Sequence, residues 1–151
     1  MDAKLRAWAR GALPLEAATE LLIRTGLASR YARLGEELMG SRVYLDFEAA
    51  AGDVAEGALS SGERAVVAIA VSLSGQVPTD ADATWREYSL EQIVTRLDRD
   101  RLALVLAALA HAAGTHEHTE APRVPTRDGG LTVVRDPQLI GPLYPWPSDR
   151  V

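Results

Sequence analysis

Three histidines near the middle of the chain are the side chains best suited to metal or acid–base chemistry. His111, His116 and His118 lie close to Glu117 and Glu120, and imidazole and carboxylate groups both bind zinc and other divalent ions. The H-x4-H-x-H spacing matches no established metal motif, and the last two histidines share a direction only in extended backbone. A metal-assisted hydrolase is therefore one hypothesis. A helix-end histidine followed by a solvated polar linker is the simpler interpretation.

The arginines of the N-terminal part are candidates for phosphate contacts. They are Arg6, Arg10, Arg24, Arg30, Arg33 and Arg42. Arg30 and Arg33 would share one face of a predicted helix, and clustered cations are what nucleic-acid binding requires. Acidic residues such as Glu16 and Glu20 are interleaved with the arginines, which is typical of a salt-bridged, solvated surface. Nucleic-acid binding is kept as an alternative function and is not favoured.

The segment from Asp80 to Glu91 has some features of a calcium loop. Oxygen-bearing side chains occupy positions 1, 3, 5 and 12 of an EF-hand-like pattern, but Trp85 stands at position 6, where the sharp turn requires glycine. We expect a polar loop that anchors Trp85 in the core. The sequence indicates no cofactor.

The most complete local pattern begins at Ser60. Ser60 and Glu63 have the spacing of a capping box, in which each side chain binds the other residue's backbone N–H. The residues that follow are apolar on nearly every face up to Leu73, and Gly75 is suited to the left-handed conformation that ends a helix. The pattern predicts a buried helix.

The same residues, Leu59-Ser60-Ser61-Gly62-Glu63, resemble the signature motif of ATP-binding cassette ATPases. That resemblance covers about fifteen residues and implies binding of a γ-phosphate by the serine, the glycine amide and the helix N-terminus. Ser61 stands where the family has glycine, no G-x4-G-K-[ST] loop is present, and Lys4 is the only lysine. We favour the capping-box interpretation, and leave open whether this helix start binds an anion.

Composition restricts the possible classes of protein. The chain has 151 residues with 47% hydrophobic content, enough for one domain with a substantial core. Net charge is −5 and cysteine is absent, so disulfides and thiolate metal sites are excluded. The start of the chain lacks the apolar run of a signal peptide, so we expect a cytoplasmic protein that does not enter membranes. Scarce lysine and absent asparagine suggest a GC-rich bacterial genome.

Hydrophobic periodicity places the expected elements along the chain. It predicts helices over 2–12, 14–25, 27–39 and 99–113, and a short strand over 42–47. Asp98 is a suitable N-cap for the fourth of these helices. We therefore expect a mainly α single-domain bundle around two buried apolar helices, 62–73 and 99–113, with a minor β element.

The composition changes after Gly114. Residues 115–151 hold most of the eight prolines and are predicted to form an extended tail, with a hairpin around Asp128, while 1–114 form the helical domain. Tyr144 and Trp146 lie in an apolar stretch that cannot be helical, and they can dock on the domain itself or on a partner. A non-enzymatic interaction or regulatory protein, with a protein partner or self-association, is the function that we expect.

Overall fold

The chain begins with two amphipathic helices joined by a short turn. Helix α1 spans Asp2–Ala9 and helix α2 spans Leu13–Arg24, as the periodicity predicts. Leu5 and Ala9 of α1 are buried, and proline occupies the first turn of α2, where its missing N–H costs nothing.

The computed structural model describes residues 1–37, 40–76, 89–120, 123–125, 128–133 and 138–148.

The prediction of a helix over 27–39 is wrong. Helix α3 covers only Ala28–Tyr31, and the chain continues as strand β1, Ala32–Glu37, antiparallel to strand β2, Gly40–Leu45. The ladder gives the backbone the hydrogen bonds that a helix would form internally. A Cβ on Gly35 would lie 3.2 Å from the Tyr44 ring. Glycine at position 35 therefore leaves room for the Tyr44 ring of the paired strand, and glycine is also unfavourable inside a helix.

The strand predicted over 42–47 is confirmed in its first part. Leu45 ends β2, and Phe47 already begins helix α4, Phe47–Glu56. Asp46 caps that helix, because its side chain accepts a hydrogen bond from the Ala49 N–H at 2.9 Å. Leu45 and Phe47 are both buried, so the core continues across the change from strand to helix.

Helix α5, Ser61–Ser74, begins and ends as the sequence predicts. The Ser60 backbone N–H donates to the Glu63 carboxylate at 3.0 Å, and the Glu63 N–H donates to the Ser60 hydroxyl at 3.4 Å. Gly75 has a φ of 67°, the left-handed conformation that ends a helix. The helix is buried on nearly every face. Its buried residues are Gly62, Ala65, Val66, Val67, Ala68, Ala70 and Val71.

Two further helices follow at 90–112. Helix α6 spans Leu90–Val94, and helix α7 spans Arg99–Ala112, capped by Asp98 through the Arg101 N–H at 2.8 Å. Helix α7 buries one side of its apolar surface, while Leu109 is 47% exposed. Helix α2 packs against both α5 and α7, and α4 packs against α5. Within the described part of the chain, no helix is long and apolar enough to span a membrane.

The residues after α7 are mostly extended. A 3-10 turn, Thr115–Glu117, leads to strand β3, Thr119–Glu120, which pairs antiparallel with strand β6, Gln138–Leu139. Between them, strands β4, Arg123–Pro125, and β5, Leu131–Val133, form the predicted hairpin. The observed architecture is therefore mainly α, with short two-stranded β elements and an extended C-terminal segment.

Candidate functional site

The histidine at the end of α7 contacts a carboxylate at the start of α2. Nε2 of His111 lies 3.0 Å from Oε2 of Glu16, and the other carboxylate oxygen of Glu16 accepts the Gly11 N–H at 2.7 Å. An ionised carboxylate only accepts hydrogen bonds, so Nε2 of His111 must carry the proton of this contact. Glu16 therefore joins the ends of α1, α2 and α7.

A second imidazole stacks on the first. The rings of His111 and His116 have centroids 4.4 Å apart and are inclined by 11°. Nδ1 of His116 is buried with no hydrogen-bond partner among the described residues, and its Nε2 lies 4.0 Å from Glu117. His118 is exposed. In the described ranges, no cluster of three or more ligating side chains could hold a metal ion, so the metal site stays a prediction.

A cleft opens beside this cluster, between α1, α2, α7 and the C-terminal segment. The cleft has a volume of about 250 Å³ and is partly open to solvent. Its polar and aromatic lining consists of Arg6, Arg10, Glu16, Glu20, His111 and Trp146. Glu20 binds two arginines: Arg6 through Nε at 2.7 Å and Arg24 through Nε at 2.6 Å.

Both carboxylates of the cleft are stabilised in the ionised form. Burial raises the pKa of Glu16, but the Gly11 N–H and the adjacent His111 outweigh it, so the pKa is lowered from its ordinary value. Burial also raises the pKa of Glu20, and its hydrogen bonds to Arg6 and Arg24 again produce a net lowering. The cleft therefore contains two carboxylates that are already hydrogen-bonded to donors of the protein.

The C-terminal segment is attached to the helical domain at this cleft. Trp146 packs against the core cluster, with the Arg24 guanidinium 5.4 Å from its ring centroid and the His111 ring 6.2 Å away. Nη1 of Arg24 also donates to the Pro147 carbonyl at 2.8 Å. Trp146, one of the two predicted docking residues, thus packs within its own chain.

Just before this anchor, the segment exposes large apolar side chains to solvent. Leu139 is 69% exposed, Ile140 63%, Leu143 73% and Tyr144 50%. We call these four residues the apolar strip. Tyr144, the other predicted docking residue, belongs to it. The backbone of the strip is held in place, because the Ile140 N–H donates to the His118 carbonyl at 3.1 Å.

The two arginines predicted for nucleic acid each have an acidic partner. Nε of Arg30 lies 2.6 Å from Oδ2 of Asp53, and Nε of Arg33 lies 3.4 Å from Oδ2 of Asp46. Asp53 also accepts a hydrogen bond from the Tyr31 hydroxyl at 3.0 Å. The pKa of Tyr31 is raised, mainly because the side chain is buried and also because of this hydrogen bond. Because Arg33 lies in β1, the helical face that the two arginines were expected to share does not form.

Gly62, the second residue of α5, is closely packed by protein atoms. A Cβ on Gly62 would lie 2.8 Å from Nη1 of Arg101 and 3.2 Å from the Arg96 carbonyl oxygen. Gly62 is buried there, because the Arg96 carbonyl and the Arg101 guanidinium pack against it, while Ser60 and Ser61 are exposed. Most of the calcium-like segment, residues 80–88, lies outside the described residues, and so does the predicted burial of Trp85.

The sequence indicated charged residues in the N-terminal part, but not that those of the first two helices line one cleft. Arg6 and Arg10 are four positions apart, as are Glu16 and Glu20, so each pair would lie on one face of its predicted helix. In the structure, Arg10 directly follows the last residue of α1. The four-residue spacing was a usable signal for two charged faces. It could not show that both faces meet at His111, which is 95 positions from Glu16.

Comparisons with models of protein families, with curated proteins and with solved structures find no match to this chain.

Proposed function

We propose that this chain is a non-enzymatic interaction protein of bacterial origin that binds a protein partner through the apolar strip. The observation that supports this proposal is the exposure of the four strip residues, Leu139, Ile140, Leu143 and Tyr144, each at least half exposed within six positions. Contiguous exposed apolar surface is costly in water and marks interaction sites on soluble proteins. Isolated exposed apolar residues elsewhere need no such explanation.

The attachment of the segment favours binding by the strip. The Leu143 N–H donates to the Thr115 hydroxyl at 3.3 Å, and that hydroxyl donates to the Ala110 carbonyl at 2.9 Å. Together with Trp146, these contacts fix the backbone on both sides of Tyr144. A strip that is already ordered loses less conformational entropy when it binds, and binds more tightly for the same contact area.

The test places a photo-crosslinking residue at Ile140 of the full-length chain and measures adducts in the native host. We expect a discrete protein adduct, either with a second copy or with another protein, that Leu143→Glu removes. Leu90→Glu is the matched control, because Leu90 is 75% exposed and Leu143 73%. Adducts that survive Leu143→Glu, or are lost equally with Leu90→Glu, contradict the proposal, as does the absence of any adduct.

A further inference from the structure

The two carboxylates of the cleft beneath Trp146 already have hydrogen-bond donors within the protein. Glu20 is occupied by Arg6 and Arg24, at 2.7 Å and 2.6 Å. Glu16 is occupied by the Gly11 N–H and by His111, at 2.7 Å and 3.0 Å. Both carboxylates of the cleft lining are therefore already hydrogen-bonded to groups of the protein.

Arg10 is the remaining cation. It is exposed, it lines the cleft, and it forms no hydrogen bond or ion pair within the part of the chain that the structure describes. A guanidinium presents five donors in a planar fork that matches a carboxylate or phosphate. A cationic ligand, by contrast, would compete with Arg6, Arg24 and His111 for the two carboxylates.

The rest of the cleft is suited to an apolar group. Trp146 and Ala9 belong to its lining, and the Trp146 ring is held by Arg24 at 5.4 Å from its centroid. The volume of the cleft, about 250 Å³, is below the roughly 300–1,000 Å³ of sites for drug-sized ligands. This volume suits a small ligand whose apolar body is about the size of a single ring.

We propose that this cleft binds a small organic anion, with its carboxylate or phosphate on Arg10 and its apolar body against Trp146. The observations that carry this assignment are the unpaired guanidinium, the two occupied carboxylates and the aromatic wall. The assignment does not depend on the apolar strip, whose residues are not part of the cleft lining.

The test is an NMR titration of the full-length chain with benzoate and with phenyl phosphate, following the Trp146 indole N–H and the Arg10 Nε–H. Benzyl alcohol, benzylamine and inorganic phosphate are the neutral, cationic and non-aromatic controls. We expect saturable shifts at both positions with at least one of the two aromatic anions. The three controls should bind at least about tenfold more weakly, since each lacks the charge or the ring.

Variants assign the binding to Arg10. Arg10→Gln should weaken the affinity about tenfold or more, while Lys4→Gln, the same loss of charge on exposed α1 surface outside the cleft lining, should change it less than about twofold. Leu143→Glu should leave it unchanged. Absence of saturable binding, equal affinity in Arg10→Gln, or equally tight binding of benzylamine or inorganic phosphate overturns the proposal.

Discussion

Glu16 and His111 join the two ends of the helical domain through a 3.0 Å contact between Oε2 and Nε2. The contact links the first turn of α2 to the last turn of α7, and the stacked His116 ring extends it toward the C-terminal segment. One carboxylate thus connects the N-terminal helices, the central helix α7 and the turn that follows it.

The acid dependence of stability should report on Glu16. Its pKa is lowered in the folded chain, so its ionised form contributes stability that is complete above the ordinary carboxylate pKa, near 4.5, and is lost as the pH falls through the folded value. Glu16→Gln should therefore lower the free energy of unfolding by about 1 kcal/mol at pH 7. It should change it by almost nothing at a pH below both the folded and the ordinary pKa of Glu16. Urea unfolding at several pH values measures this.

Glu48→Gln is the matched control for that measurement, since Glu48 is exposed in the first turn of α4. It should change the free energy of unfolding by less than about 0.5 kcal/mol at every pH. A Glu16→Gln deficit that stays constant down to acid pH would show that the ionised carboxylate is not the source of the stability.

Two helical glycines should respond to alanine in opposite directions. Gly52 lies inside α4 with nothing within 4 Å of an added Cβ, so Gly52→Ala should stabilise the fold by about 0.5–1 kcal/mol through helix propensity. Gly62→Ala should destabilise it by about 1–3 kcal/mol, because its Cβ would approach the Arg96 carbonyl oxygen to 3.2 Å. Chemical denaturation of both variants checks the difference. If both variants gain stability, the close packing at Gly62 is refuted.

A buried hydroxyl in α2 offers a further test. Oγ1 of Thr19 is buried with no hydrogen-bond partner among the described residues, so Thr19→Val should stabilise the protein by about 1 kcal/mol on removing an unsatisfied polar group. Thr25→Val is the control, because its hydroxyl donates to the Leu21 carbonyl at 2.8 Å. It should be neutral or destabilising. Thermal and urea unfolding measure both variants. If Thr19→Val were less stable than Thr25→Val, the Thr19 hydroxyl would not be an unsatisfied polar group.

Docking of the C-terminal segment should depend on Trp146. Trp146→Ala should destabilise the fold by about 1–2 kcal/mol, less than a fully buried tryptophan would, and should speed hydrogen exchange at the Leu143 amide. Tyr144→Ala removes a ring that is 50% exposed and should change the stability by less than about 0.5 kcal/mol. Unchanged exchange at Leu143 in Trp146→Ala would show that Trp146 does not hold the segment.

Local signals were sufficient for much of the fold. The Ser60–Glu63 capping box, the Asp98 cap and the left-handed Gly75 all form as predicted, because each depends on residues within one helical turn. The predicted helix over 27–39 failed for the opposite reason. The pairing of β1 with β2 supplied hydrogen bonds from residues that local periodicity does not consider.

The candidate site shows the same division more sharply. By itself, the sequence determined which residue types could do chemistry, and where each lies along its helix. Tertiary structure alone decided that His111 binds Glu16, that Trp146 closes a cleft over α2, and that Arg10 is left without a partner among the described residues. Helical spacing is local, whereas these contacts join positions about one hundred residues apart, and only the packing of α2 against α7 brings them together.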